Sequence, residues 1–256
     1  MNFTDLIVEV PNAVPHDFCD KAIDFFEDCP EDHNLGKSGL GYDPSIKDSL
    51  DLHIMPTNPK HSDFDRETFQ HLTKSLSEYM DFYTEKINGP WKSGRPVHVS
   101  DTGYQIQKTV KDGHYTWHVD YDVNIVLDTL PNPFNPLSIE EEQYPWVATK
   151  ERIYTFIFYL NDGFKGGRTQ FHFGGEIHSV VPEKGKLIWF PANRLYVHRG
   201  EPVESGEKYL MTGWIFDETR RRTVGSSMLS QDQRDMYGEE NMMFSPGTPP
   251  PVIQHG

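Results

Sequence analysis

Cysteine is almost missing from this chain: there are two in 256 residues, Cys19 and Cys29, both in one short segment. That excludes a disulfide framework and a cysteine-built zinc site, and it predicts two ordinary thiols of a reducing compartment. Long apolar runs are missing too. A membrane-spanning helix needs about 18 consecutive apolar residues, and no such run occurs, so no membrane partner is expected. The N-terminal stretch carries Asp5 and Glu9 where a secretory signal would place a basic region ahead of an apolar one; a cytoplasmic location is the expectation. Basic residues are in deficit. With 24 Lys and Arg against 39 Asp and Glu, the formal net charge is −15. Bare nucleic acid is bound through clustered cations that displace counterions, so nucleic acid is not an expected partner, whereas polypeptides and small molecules are. There is no internal repeat, and the oligomeric state is left open.

What the chain does have is hydrophobic patterning of two kinds. Leu6 to Val10 reads as a short strand. Pro15 then opens a helix with Phe18, Ala22, Phe25 and Cys29 on one face, and Pro30 stops it. Residues 31 to 60, rich in Gly, Asp, Ser and Pro, predict loops with short extended pieces. A second helix starts near Ser62 or Asp63, carries Leu72, Leu76, Tyr79 or Met80, Tyr83 and Ile87 along one stripe, and ends at Asn88-Gly89-Pro90. From Val97 the pattern becomes short alternating runs cut by turn residues. Eight strands are predicted, at 103–110, 116–123, 151–160, 168–173, 177–181, 186–191, 196–203 and 207–217, a number that suits a double-sheet jelly roll. The expected fold is therefore mostly β with supporting helices: a double-stranded β-helix, cupin-like, with N-terminal α-helices packed on the major sheet. A single domain over 1–256 is expected, with a helical and mixed support region at 1–96, the jelly-roll core at 97–218 and a C-terminal extension with a proline-rich tail at 219–256. Within the core, residues 128–150 hold Pro131, Pro133, Pro136 and Glu140 to Glu142. That stretch is too long for a turn, and it predicts a lid.

The chemistry sits in His118, Asp120, His198 and Lys208. Residues i and i+2 of a strand share a face, so an extended Trp117 to Val123 makes the His118 imidazole and the Asp120 carboxylate converge while Val119 turns away. The same alternation joins Lys208, Leu210, Thr212 and Trp214. Two histidines and one carboxylate that hold a metal from one side leave its opposite positions open, the arrangement of non-haem Fe(II) oxygenases. An H-x-D triplet alone occurs by chance, but the ordered set is more specific. A lysine ten positions (208−198) after the second histidine can hold the far carboxylate of a dicarboxylic co-substrate, which points to 2-oxoglutarate. Other residues receive blander readings: His172 and His178 as outward or core groups, His16, His33, His53, His61 and His71 as surface groups, Arg220 to Arg222 as a solvated edge, and Trp91 and Trp117 as core aromatics.

Over roughly Leu6 to Phe216 the chain resembles the prolyl 4-hydroxylase branch of the Fe(II)/2-oxoglutarate dioxygenases. The resemblance rests on Gly113 to Asp120, on Arg152 to Thr155 running into Phe158 to Asp162, on Gly166 to Phe171, on Lys208 to Ile215, and on Val14 to Phe26. It implies His118, Asp120 and His198 as the metal ligands and catalytic centre. It implies Lys208 as the oxoglutarate-binding lysine, Tyr159 as a second contact of the co-substrate, Tyr115 as a lining residue, and Thr212 with Thr109 in the co-substrate set. Two departures stand out. Thr109 occupies a position where the family often has a tyrosine, so the hydroxyl there has a shorter reach, and Arg168 occupies one where acidic or small residues are common. The implied cofactors are Fe(II), 2-oxoglutarate and O2, with ascorbate as reductant. The implied reaction, similar to that of procollagen-proline 4-dioxygenase, hydroxylates prolyl residues of a protein or peptide and decarboxylates 2-oxoglutarate to succinate and CO2. Two alternatives remain open: the same oxidation of another residue or a free small molecule, and a non-catalytic jelly-roll binding module.

Overall fold

Strand alternation produces a sheet here that is apolar on both faces, and that sheet organises everything else. The computed structural model describes residues 2–39, 41–89, 99–101, 103–128 and 146–221. In chain order the elements are β1 (Val8–Val10), α1 (His16–Glu27), β2 (His33–Leu35), β3 (Leu50–Ile54), α2 (Ser62–Asn88), β4 (Val99–Asp101), β5 (Tyr104–Thr109), β6 (Tyr115–His118), β7 (Val123–Asp128), β8 (Trp146–Tyr159), β9 (Lys165–Gly166), β10 (Thr169–Phe173), β11 (Glu176–Val180), β12 (Leu187–Pro191), β13 (His198–Gly200), β14 (Val203–Ser205) and β15 (Lys208–Arg221). They fall into two compact units. One is Met1–Asp122 with Arg152–Asp217; the other is Val123–Glu151 with Glu218–Gly256.

In the first unit the major sheet runs β1-β12-β8-β15-β5-β3-β2, with β4 beside β15, and the minor sheet runs β11-β10-β13-β6. Tyr154, Phe156 and Phe158 of β8 and Leu187 and Trp189 of β12 are buried in one core, which also takes Phe18, Ala22 and Phe26 of α1 and Tyr79 of α2. Their neighbours Ile157, Tyr159, Ile188 and Phe190 are buried in a second core with Phe171 and Val180 of the minor sheet. Each strand thus serves both cores by alternation. Tyr79 stacks on Trp189 at 5.4 Å and 11°, Ser75 accepts the Trp189 indole N–H at 2.8 Å, and Phe26 meets the Tyr209 ring edge-on at 5.9 Å. Burying one phenylalanine-sized side chain contributes roughly 1.5–3 kcal/mol, so these rings dominate the packing. In the second unit, Val123 to Asp128 pair antiparallel with Glu151 to Trp146.

Both helices lie where their 3.6-residue stripes predict, although Phe26, and not Phe25, is the fully buried ring of α1. The 31–60 stretch holds more order than its composition suggests. Leu52 and Ile54 of β3 are buried, and β3 pairs along β5 from Leu50 opposite Lys108 to Ile54 opposite Tyr104. His61, expected at the surface, is 2% exposed, because its Nδ1 accepts the Met55 N–H at 3.2 Å. The strand expected to begin at 151 begins at Trp146 and so takes over the end of the expected lid. The rest of that lid, 129–145, lies outside the described residues, as do Trp91, Arg222 and the proline-rich tail.

Gly213 shows how closely the sheet is packed. A Cβ there would stand 2.6 Å from Phe156 Cζ and 2.8 Å from the Gly103 carbonyl. Gly213→Ala is expected to cost about 1–3 kcal/mol through overpacking, read as a lower urea midpoint at unchanged slope.

Candidate metal centre

Strand pairing, not proximity in sequence, assembles the site. β13 pairs antiparallel with β6 so that His198 lies directly opposite His118, and Asp120 follows two residues after the end of β6. His198 and Asp120 are buried and His118 is half-buried. Asp120 Oδ1 is 3.6 Å from His118 Nε2, and Oδ2 is 3.5 Å from His198 Nε2. On the far side of each ring, Nδ1 of His118 donates to the Thr116 carbonyl at 2.8 Å and Nδ1 of His198 donates to the Tyr196 carbonyl at 3.0 Å. A carbonyl only accepts, so this bonding assigns a proton to Nδ1 of each ring, and in the neutral imidazole the lone pair then lies on Nε2. Burial and the adjacent His198 push the His118 pKa down to about 3, which keeps that ring neutral. Burial would raise the Asp120 carboxyl, but His198, His118 and hydrogen bonds from Thr155 and Trp214 hold it below its ordinary range.

The result is a cluster of acceptors with no donor among them. Two imidazole lone pairs and a carboxylate have ligand atoms within 4.8 Å of one another. Such a set repels itself unless a cation stands between its members, and mixed nitrogen and carboxylate donors suit a divalent first-row metal. The cluster of Cys29, Asp32 and His61 is different. There, Nδ1 of His61 already accepts a backbone N–H, so its Nε2 carries the proton toward Asp32 Oδ2 at 3.1 Å and has no lone pair for a metal.

Around the three acceptors is a cavity of about 650 Å³, its open mouth included, lined from both sheets. β5 supplies Gln107 and Thr109, β8 supplies Thr155 and Ile157, and β15 supplies Lys208, Leu210, Thr212 and Trp214. Each set is spaced by two, and the register aligns Lys208 with Thr109 and Leu210 with Gln107. Lys208 is buried, and its Nζ donates to the Gly167 carbonyl at 2.5 Å. Among the described residues it has no carboxylate partner. Burial lowers its pKa to about 8, against a weaker upward pull from Glu201. A buried cation without an anion is costly, so this end of the cavity is built for a negative group.

Of the residues singled out from sequence, His118, Asp120, His198, Lys208, Thr109, Tyr115 and Thr212 all line this cavity. Thr212 donates its hydroxyl to the Phe156 carbonyl at 2.8 Å, so toward the cavity it offers wall and lone pairs. Tyr159 stands one layer back. Its ring lies 5.8 Å from Lys208 Nζ, and its hydroxyl donates at 2.7 Å to Thr169, which does line the cavity. Sequence reasoning missed Lys47, Ser49, Gln107, Thr155 and Thr169. Gln107 and Thr155 were within reach of it, since both keep the two-residue phase of Thr109 and Tyr159.

Thr155 donates to Asp120 Oδ2 at 2.8 Å and so orients that carboxylate. Thr155→Val keeps the shape and removes the donor. Divalent-metal affinity is expected to fall about tenfold, at the low end of the range for groups that bond metal ligands, as measured by chelator competition.

Residues 104–216 match the family model described as the 2OG-Fe(II) oxygenase superfamily. No curated protein matches the chain in sequence. Among solved structures it is similar to a viral collagen prolyl hydroxylase from Paramecium Bursaria Chlorella virus-1 in complex with 2OG, at 20% identity and a TM-score of 0.51, over 82% of this chain and 96% of that one. It is also similar to a prolyl hydroxylase from Trichoplax adhaerens in complex with a hypoxia inducible factor oxygen degradation domain peptide fragment, at 15% identity and a TM-score of 0.54, over 92% of this chain and 89% of that one. A prolyl-4-hydroxylase from Pseudomonas putida gives 18% identity and a TM-score of 0.54, over 84% and 92%. At such identities the likeness is one of fold.

Proposed function

We propose, from the match of residues 104–216 to the 2OG-Fe(II) oxygenase superfamily model, that the protein is an Fe(II)- and 2-oxoglutarate-dependent dioxygenase that hydroxylates prolyl residues in a protein or peptide. One observation carries the reading: a single cavity holds three converging metal acceptors and a buried lysine without an anion. His118, Asp120 and His198 would hold Fe(II). Once bound, the metal supplies the O2 activation that couples decarboxylation of 2-oxoglutarate, to succinate and CO2, with insertion of one oxygen into a C–H bond.

The protein's part is placement. Lys208 takes the distal carboxylate of the co-substrate, with Tyr159 and Thr169 fixing the wall behind it. Asp120 occupies a position that must be vacant for a halide, which favours hydroxylation over halogenation. Ile157 and Leu210 make the cavity wall apolar between its polar ends. Prolyl specificity draws support from the shared fold with prolyl hydroxylases, one of them solved with a peptide. The same reading takes ascorbate as reductant and a cytoplasmic setting, to which Cys19 and Cys29, both free thiols, are suited. No helix among the described residues is long and apolar enough to cross a membrane.

The test is succinate release from 2-oxoglutarate, with and without a panel of proline-containing peptides, beside free proline and proline-free peptides. Proline peptides are expected to stimulate turnover and to gain one oxygen each. Stimulation by free amino acids or proline-free peptides alone would move the substrate elsewhere. If iron binds but oxoglutarate is never turned over, the chain is a binding module.

A further inference from the structure

A buried ion pair between β3 and the segment that leads into it is not used by the chemistry above. Lys47 is 3% exposed and Asp51 is 1% exposed, and Lys47 Nζ lies 2.6 Å from Asp51 Oδ2. The same carboxylate accepts from Gln105 Nε2 at 2.8 Å and from Ser49 Oγ at 2.8 Å, while Gln107 Nε2 holds Gln105 Oε1 at 2.9 Å. With three donors on Asp51, the ammonium of Lys47 is fixed in place. It lies 5.4 Å from the centroid of the Tyr115 ring, and that ring lies nearly flat on the His118 imidazole, centroids 3.6 Å apart at 17°. Backbone bonds join the same segments. Asp48 N–H donates to the His114 carbonyl at 2.8 Å, and Thr116 N–H donates to the Ile46 carbonyl at 2.8 Å.

Two features of the structure give this arrangement a role. First, β6, which carries His118, is the edge strand of the minor sheet; it is four residues long, and its register against β13 is irregular. A short, irregular edge strand fixes its side chains poorly, and the 45–48 segment covers its open side. Second, a buried ion pair is a poor stabiliser. Desolvation costs several kcal/mol per ion, and apolar replacements of similar volume are often neutral or better. Folding alone therefore gives no reason for a charge at Lys47, whereas a cation over an aromatic face holds that ring in place.

We propose that the Lys47–Asp51 pair is a positioning device for the metal centre: it holds Tyr115 flat against His118 and so fixes the plane of that imidazole and the direction of its Nε2 lone pair. Lys47 and Asp51 act through Tyr115 and are positioning residues. The pair carries no net charge. This inference rests on His118 being a metal ligand.

The test uses the full chain and reads iron rather than turnover. Fe(II) affinity is measured by competition with a chromophoric chelator, the visible charge-transfer band is recorded in the anaerobic complex with 2-oxoglutarate, and the thermal midpoint is recorded beside them. Lys47→Met keeps the stem and removes the charge. It is expected to lower iron affinity about tenfold and to shift or broaden the band, with Lys47→Arg restoring most of both. The double variant Lys47→Met with Asp51→Met should melt at or above the wild type and still bind iron weakly, which separates positioning from stability. If Lys47→Met alone fails to fold, because Asp51 is left buried and unpaired, the double variant carries the test. Tyr115→Leu, which leaves the pair intact, should lose iron affinity to the same degree. Wild-type affinity and band in the double variant or in Tyr115→Leu would overturn the inference. A wild type that binds iron but gives no oxoglutarate band overturns the co-substrate reading alone, since iron affinity still reports on the clamp. A wild type that binds no iron overturns both.

Discussion

Asp120→Ala is expected to abolish turnover and to lower Fe(II) affinity by more than about 100-fold, beyond the 10–100-fold seen for groups that merely bond a ligand. Asp120 is the only carboxylate among the three converging groups. Its removal leaves two neutral imidazoles facing the cation, while Thr155 loses its acceptor. The apo protein should tolerate the change. Without metal, the change removes a buried carboxylate whose desolvation cost opposes the pull of His198 and His118, so the melting midpoint is expected to move little. Anaerobic iron titration beside thermal melts reads both quantities. The combination of lost affinity with kept stability is what a ligand predicts. Wild-type iron affinity in Asp120→Ala would end the assignment of the centre.

Lys208→Met is expected to raise the KM for 2-oxoglutarate about 100-fold or more, while iron affinity in the absence of co-substrate stays at the wild-type level. Truncating one member of a buried charge pair typically costs 2–5 kcal/mol, and about 1.4 kcal/mol is tenfold. The pH dependence follows from burial, which lowers the Lys208 pKa to about 8 in the free protein. The carboxylate needs the charged lysine, so 2-oxoglutarate binding should be strong below about 8 and weaken as the pH rises past it. For stability the sign is opposite. An unfolded lysine titrates near 10.4, so between about 8 and 10.4 the unfolded chain binds more protons, and stability of the ligand-free protein gains with rising pH in that window. Lys208→Arg, ionised throughout, should flatten the binding profile. A wild-type profile that is flat from pH 7 to 10 would remove Lys208 from the co-substrate site.

Much of the cavity was legible because strand geometry is local. Lys208, Leu210, Thr212 and Trp214 share a face by alternation along β15, whereas the strand expected over 116–123 ends at His118 and resumes only at Val123, so Asp120 meets His118 from the segment just past the strand and not from within it. The stripes of α1 and α2 are equally local, which is why Phe18, Ala22 and Tyr79 could be placed on buried faces from spacing alone. β3 was harder. Its alternation covers five residues in a stretch whose Gly, Asp, Ser and Pro content reads as loop, and only pairing with β5 turns it into sheet. His61 was misread for a related reason: nothing beside it in sequence announces that the Met55 N–H will bond its ring and bury it.

What the sequence determined by itself, then, is which chemistry is available and how neighbouring residues share faces: acceptors at 118, 120 and 198, a cation at 208, and the phase of each strand. The tertiary structure alone decided which distant groups meet. His198 faces His118 because β13 pairs with β6, Thr155 reaches Asp120 across 35 positions, and Lys47 settles over Tyr115 because Asp51, Ser49 and Gln105 fix it there. Periodicity is a property of consecutive residues, whereas register and loop closure depend on the free energy of the whole packed chain, so no local pattern encodes those meetings.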